Sequence, residues 1–215
     1  MAVLVLGGIV LFFVFIGVSG SKWEKKRLAS IELIAKNLDF SFLAQGRETT
    51  LLVHNDFPLF SKRRGRSLGY EMWGTELNNP VSIFEFRYSE KNGKNSSVYT
   101  QTVLSVDCSH LNSVQFNLKP EDIFHKMGQV FGYQDIDFVD FPVFSKEYLL
   151  RGENESVIRQ LFTPKVIEYF EKNKNIFIEV QSNTFIFYKL DIVCPPEELE
   201  QFYKDGLAAL DVLVK

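Results

Sequence analysis

Val81-Ser82-Ile83-Phe84-Glu85-Phe86-Arg87-Tyr88 alternates along its length: Phe84, Phe86 and Tyr88 fall on one face, Glu85 and Arg87 on the other. Successive side chains of an extended chain point to opposite sides, so this period of two reads as a strand with one buried face. The run Val98 to Cys108 follows with Leu104, Val106 and Cys108 aligned, and Lys91-Asn92-Gly93-Lys94-Asn95 lies between the two. Asn-Gly tolerates positive φ at both central positions of a tight turn, which makes it the strongest short-range sign of a hairpin. An antiparallel sheet is therefore the expected centre of the fold. Ser67 to Leu77 supplies a strand upstream and Ser113 to Leu118 one downstream.

Helical signals flank these strands. Lys22 to Asn37 places Leu28, Ile31, Ile34, Ala35 and Leu38 at helical spacing. Lys119-Pro120-Glu121-Asp122 opens a short helix with Ile123, Phe124, Met127, Val130 and Phe131 on its apolar face, ended by Gly132. Further on, Tyr148-Leu149-Leu150 reads as a strand. Asn154 caps Glu155 to Phe162, and Thr163-Pro164 opens Lys165 to Glu171. Ile176, Ile178 and Val180 then face Phe185 to Ile192 across Gln181-Ser182-Asn183-Thr184 as a second hairpin. A last helix from Pro195 carries Leu199, Phe202, Gly206, Leu210 and Leu213 on one stripe. The class is α+β, one domain of antiparallel sheet with helices packed on it, covering 39–215 with a subdivision point near 140–146.

Ahead of that domain, Ala2 to Gly20 carries no charge. As a helix it would span roughly 28 Å, close to the hydrocarbon thickness of a bilayer. Residues 1–20 are accordingly expected to form a transmembrane anchor and 21–38 a juxtamembrane helix. Lys22, Trp23, Lys25, Lys26 and Arg27 stand at the membrane interface, and the positive-inside rule puts the N-terminus outside and the C-terminal domain in the cytoplasm, at the cell inner membrane. A cleaved signal peptide, exporting an extracytoplasmic or secreted domain, is the alternative. It fits less well because only Met1 precedes the apolar run.

The chain has 215 residues and a net charge of −3, so no global attraction to nucleic acid is implied. Its cysteines, Cys108 and Cys194, form no CxxC pair and read as free buried thiols. Walker, GxGxxG, HExxH and GxSxG patterns are all missing, which lowers the common enzyme classes and implies no cofactor. Asp135, Asp137 and Asp140 are the nearest approach to a hard-metal site, yet they lack the Gly and distal Glu of a calcium loop. Lys62, Arg63, Arg64 and Arg66 make a basic loop that can meet anionic lipid. His54, His110 and His125 are scattered. Asp107-Cys108-Ser109-His110 compresses an acid, two nucleophiles and a base into neighbours that rarely face one another.

Six landmarks carry a resemblance: Glu24-Lys25-Lys26-Arg27, Phe57-Pro58-Leu59-Phe60, Gln101-Thr102-Val103, Asp135-Ile136-Asp137-Phe138, Leu150-Arg151-Gly152 and Leu161-Phe162-Thr163-Pro164. Together with the apolar N-terminus they resemble an uncharacterised family of bacterial single-pass membrane-anchored proteins. The resemblance implies an anchor and a single domain, and supplies no catalytic residue. The expected function is a membrane-anchored, non-enzymatic binding or scaffold module that meets a protein or a lipid surface on the cytoplasmic side. The alternative is an enzyme of unrecognised type, using the acidic stretch or Asp107 to His110.

Overall fold

The computed structural model describes residues 22–61, 63–92, 95–112, 114–121 and 134–215. Residues 22–37 form helix α1. Strand β1 (Ser41–Leu43) and two short helices, α2 (Glu48–Val53) and α3 (Pro58–Ser61), come next. Three long strands follow, β2 (Arg64–Glu76), β3 (Asn79–Asn92) and β4 (Asn95–Asp107), and then β5 (Phe116–Pro120). The remainder is α4 (Pro142–Glu147), β6 (Tyr148–Gly152), α5 (Glu155–Leu161), α6 (Pro164–Lys172), β7 (Phe177–Gln181), β8 (Thr184–Tyr188) and α7 (Leu199–Val214).

All eight strands join one sheet, in the order β1-β2-β3-β4-β8-β7-β5-β6. Every pairing in it is antiparallel. Positive φ occurs at Leu77 and Asn78 between β2 and β3, and at Ser182 and Asn183 between β7 and β8. Such turns twist in the sense that flanking strands require.

The first face of the sheet carries the larger core. Ile31 and Ala35 of α1, Phe144 of α4, Ile158 of α5, Ile167 and Phe170 of α6, and the α7 stripe all bury against Tyr70, Ile83, Leu104, Ile178 and Phe187. Arg27 fixes α1 there, its Nη2 donating to Glu85 Oε2 on β3 at 2.9 Å. The second face is covered in part by α2 and α3; Leu59 and Phe60 of α3, and Phe57 just before it, pack on Phe84, Phe86, Val103 and Ile186.

One expectation is corrected. No helix among the described residues is long and apolar enough to cross a membrane, so the architecture these residues show is an antiparallel sheet with helices and includes no transmembrane helix. The first described helix, α1, has a charged start and packs its apolar positions on the sheet. The expected anchor, residues 1–20, lies outside the described residues, as does the helix expected after Pro120. Pro120 itself ends β5, opposite Tyr148.

Candidate functional site

The second face of the sheet changes character along the strands. One row across it reads Glu71, Phe84, Val103 and Tyr188; the next reads Trp73, Ser82, Ser105 and Ile186; beyond that stand Pro80, Asp107 and Thr184. The apolar part lies under α2 and α3. The polar part stays open and forms a cleft of about 330 Å³ beside α2.

Glu71 sets the near wall. A β-bulge between Leu68 and Glu71 places two residues of β2, Gly69 and Tyr70, against one of β3, Glu85, so both Leu68 and Glu71 reach the second face. Fully buried, the Glu71 carboxylate accepts from the Arg47 backbone N–H at 2.8 Å, from its Nη2 at 2.6 Å and from Thr50 Oγ1 at 2.7 Å. Burial alone would raise its pKa, but these bonds outweigh burial and hold it below the usual value. The Arg47 guanidinium also lies 4.1 Å over the Trp73 ring, so this cation is already engaged.

His54 closes the C-terminal end of α2. Its Nδ1 is 2.6 Å from the Thr50 carbonyl oxygen and its Nε2 is 2.7 Å from Ser105 Oγ. A carbonyl can only accept, so Nδ1 carries the proton and Nε2 accepts from the Ser105 hydroxyl. Burial against Phe57, Phe60 and Phe84 lowers the His54 pKa, with Thr50 and Glu71 acting in the opposite direction. Serine and imidazole at this distance resemble a nucleophile and its base. Ser105, however, sits inside a strand paired on both sides, where ladder bonding directs the neighbouring N–H groups to β3 and β8 rather than toward an oxyanion.

On the floor and at the mouth of the cleft, Ser82, Asp107 and Thr184 make no side-chain hydrogen bond to another described residue. Deeper on the same face, Glu179 of β7 is 4 % exposed and accepts from the Leu59 N–H of α3 at 3.1 Å and from the Tyr188 hydroxyl at 2.8 Å. Burial is the chief cause that pushes its pKa up to about 7.

Of the residues singled out in the sequence, Asp107 and His54 line this cleft, and the others do not gather here. Cys108 turns to the first core, and its Sγ stands 3.9 Å from His110 Nδ1. Both cysteines are free and buried. Asp135 accepts from the Leu150 N–H at 3.1 Å, and its pKa is raised by burial and then by Asp137. Asp137 and Asp140 are exposed, and among the described residues no cluster of three acid, His or Cys side chains is placed to hold a metal. Arg63 is ion-paired to Glu90 and lies 4.6 Å over Tyr88; Arg66 donates to Asn55 Oδ1 at 2.7 Å. Arg64 is exposed, while Lys62 and His125 lie outside the described residues. Lys22, Lys25 and Lys26 are exposed and Trp23 is 66 % exposed, whereas Arg27 is committed to Glu24 and Glu85.

His54, Ser105, Trp73, Glu71 and Glu179 were not legible as a site. The two acids did carry a signal: Glu71 interrupts Tyr70 and Met72, and Glu179 interrupts Ile178 and Val180, each an ionisable group inside an apolar strand.

Comparison with known proteins bears on this fold. No family model matches the chain, and no curated protein does. Among solved structures, the crystal structure of the mycobacterial trehalose monomycolate transport factor A superposes with a TM-score of 0.64 at 10% identity, covering 86% of this chain and 93% of that one. At that identity the likeness is one of fold. The chain thus shares the α+β fold of a transport factor.

Proposed function

We propose that the chain is a non-catalytic binding module whose cleft beside α2 takes a neutral, hydroxyl-rich group of the kind a sugar ring presents. The observation that carries this reading is the set of unpaired Ser82, Asp107 and Thr184 beside a partly exposed Trp73. Sugar hydroxyls need donors and acceptors together; Ser and Thr offer both, and a carboxylate accepts twice. The part of the Trp73 indole that Arg47 leaves uncovered supplies apolar surface of the kind that ring C–H groups seek. An anion would meet Asp107, and the nearby cation, Arg47, is held by Glu71. The structural neighbour adds support of a general kind, since its name couples transport to a molecule with a sugar part.

The test is an NMR titration of the protein with trehalose and with glucose. Either sugar should shift the amides of Ser82, Ser105 and Thr184, and Ser82→Trp, which fills the floor, should abolish the shifts. If neither sugar moves them, the reading is wrong. Binding to anionic vesicles that disappears on charge reversal at Arg64 and Arg66 would move the function to this basic stretch, which the sequence reads as a loop and the structure places at the start of β2. The Ser105–His54 contact supports a second reading, ester hydrolysis. Turnover of an activated ester that vanishes in Ser105→Ala would establish it in place of the first.

A further inference from the structure

The wall of the cleft is an arm, residues 47–61, made of two helices of six and four residues. Helices this short do not persist without tertiary support. The arm holds to the sheet through the apolar contacts of Phe57, Leu59 and Phe60 and through three buried polar anchors: Glu71 at its start, the His54–Ser105 bond at its middle, and Glu179 beneath α3. The third anchor differs from the first. Glu71 has a guanidinium 2.6 Å away, whereas Glu179 forms no ion pair with a described residue.

Protonated, Glu179 brings no net charge into this buried site. One oxygen still accepts from the Leu59 N–H, and the carboxyl O–H and the Tyr188 O–H compete for their one shared contact, so the gain from neutralising the charge is set against one hydrogen bond. Ionised, it places a charge under α3, on a face it shares with the aromatic rings of Phe177 and Tyr188. The charged groups facing it are Arg63, beyond the end of the arm, and Lys119 of β5, both acting at longer range; Arg151 of β6 in turn faces Lys119.

We propose that docking of this arm takes up a proton at Glu179, so that the arm is held more firmly in acid and loosens, opening the wall of the cleft, when that carboxyl ionises. Burial pushes the group up to about 7, against 4.5 for a solvated glutamate, and the Leu59 and Tyr188 bonds offset this only in part. For an acid raised in this way, the extra docking strength is full below 4.5 and is lost as pH rises through about 7. His54 acts with the opposite sign. Its pKa is lowered, so its contribution is full above 6.5 and declines below. Glu71, Arg47 and Asp107 are the charged groups around His54 and its cleft.

Because the two limbs overlap, the test compares wild type with Glu179→Gln, in which His54 is unchanged. Hydrogen exchange of the Leu59 amide is followed from pH 4.5 to 8 and referred at each pH to the Ile186 amide within the sheet. The protection of wild type relative to the variant should fall on the order of a hundredfold across that range. A ratio constant with pH overturns the proposal. Should the variant not fold, a carbon-13 titration of the Glu179 carboxyl in wild type decides: a midpoint near 7 upholds it, and one near 4.5 overturns it. No ligand enters either measurement, so the result is independent of whether the cleft binds a sugar.

Discussion

Glu71 shows how much one side chain organises in this protein. It is fully buried, serves both the backbone and the guanidinium of Arg47, and reaches Thr50 as well. Removing it strands four donors, of which only the two on the Arg47 guanidinium, whose side chain is 40% exposed, can turn to water. Glu71→Ala should therefore cost about 2–4 kcal/mol in urea denaturation at pH 7. The pH dependence has a definite sign. Because the folded pKa is lowered, the contribution is present above the usual 4.5 and lost as pH falls below it. Wild type and variant should converge in acid, and a gap that stays constant down to pH 3 would contradict this account. The sequence offered Glu71 only as a charge inside an apolar strand. What turns it toward α2 is the bulge after Leu68, which leaves no pattern in the residues themselves.

Among the elements, those with a full period were legible and those without were not. The alternation of Val81 to Tyr88 became β3, paired residue for residue with β4 from Val81↔Val106 to Asn92↔Asn95. The turn at Ser182 and Asn183 and the stripe Leu199, Phe202, Gly206, Leu210, Leu213 came out as read. Asn154 Oδ1 accepts from the Val157 N–H at 3.2 Å, as its position predicts. By contrast β1 has three residues and α3 four, too few to display any period, and the pairing of β4 with β8 joins segments far apart in sequence. The site fell into the same blind spot, since His54 meets Ser105 from 51 residues away and Leu59 meets Glu179 from 120. The final helix also explains its glycine. A Cβ at Gly206 would stand 2.3 Å from Leu104 Cδ2 and 3.1 Å from the Phe187 ring, so α7 lies closer to the sheet than any side chain there permits. Gly206→Ala gains helix propensity of about 1 kcal/mol but forces the helix off the strands at a cost of roughly 1–3 kcal/mol. Net destabilisation is expected, measured by thermal melting; an unchanged or higher Tm would show that Leu104 simply moves aside.

At the scale of the molecule, α1 is part of the fold rather than a spacer in front of it. Ile31 and Ala35 are wholly buried in the core that also contains Tyr70, Met72 and Ile83, and Arg27 bonds to Glu85 with both side chains nearly out of solvent. A connecting segment would share none of these contacts. Among the described residues the sheet is shielded unequally, with α1 and α4–α7 on its first face and the short arm alone on its second, where the cleft opens. Because the first-face core runs without a break from α1 to α7, loss of one α1 contact should be felt throughout. Ile31→Ala removes a fully buried side chain and is expected to cost about 2–5 kcal/mol. Its denaturation should remain one transition, seen at the same urea concentration by circular dichroism and by amide exchange at Phe187 in β8. If helix signal were lost well before protection at Phe187, α1 would be an attachment that unfolds alone, and its burial against Tyr70 and Ile83 would contribute little to the stability of the sheet.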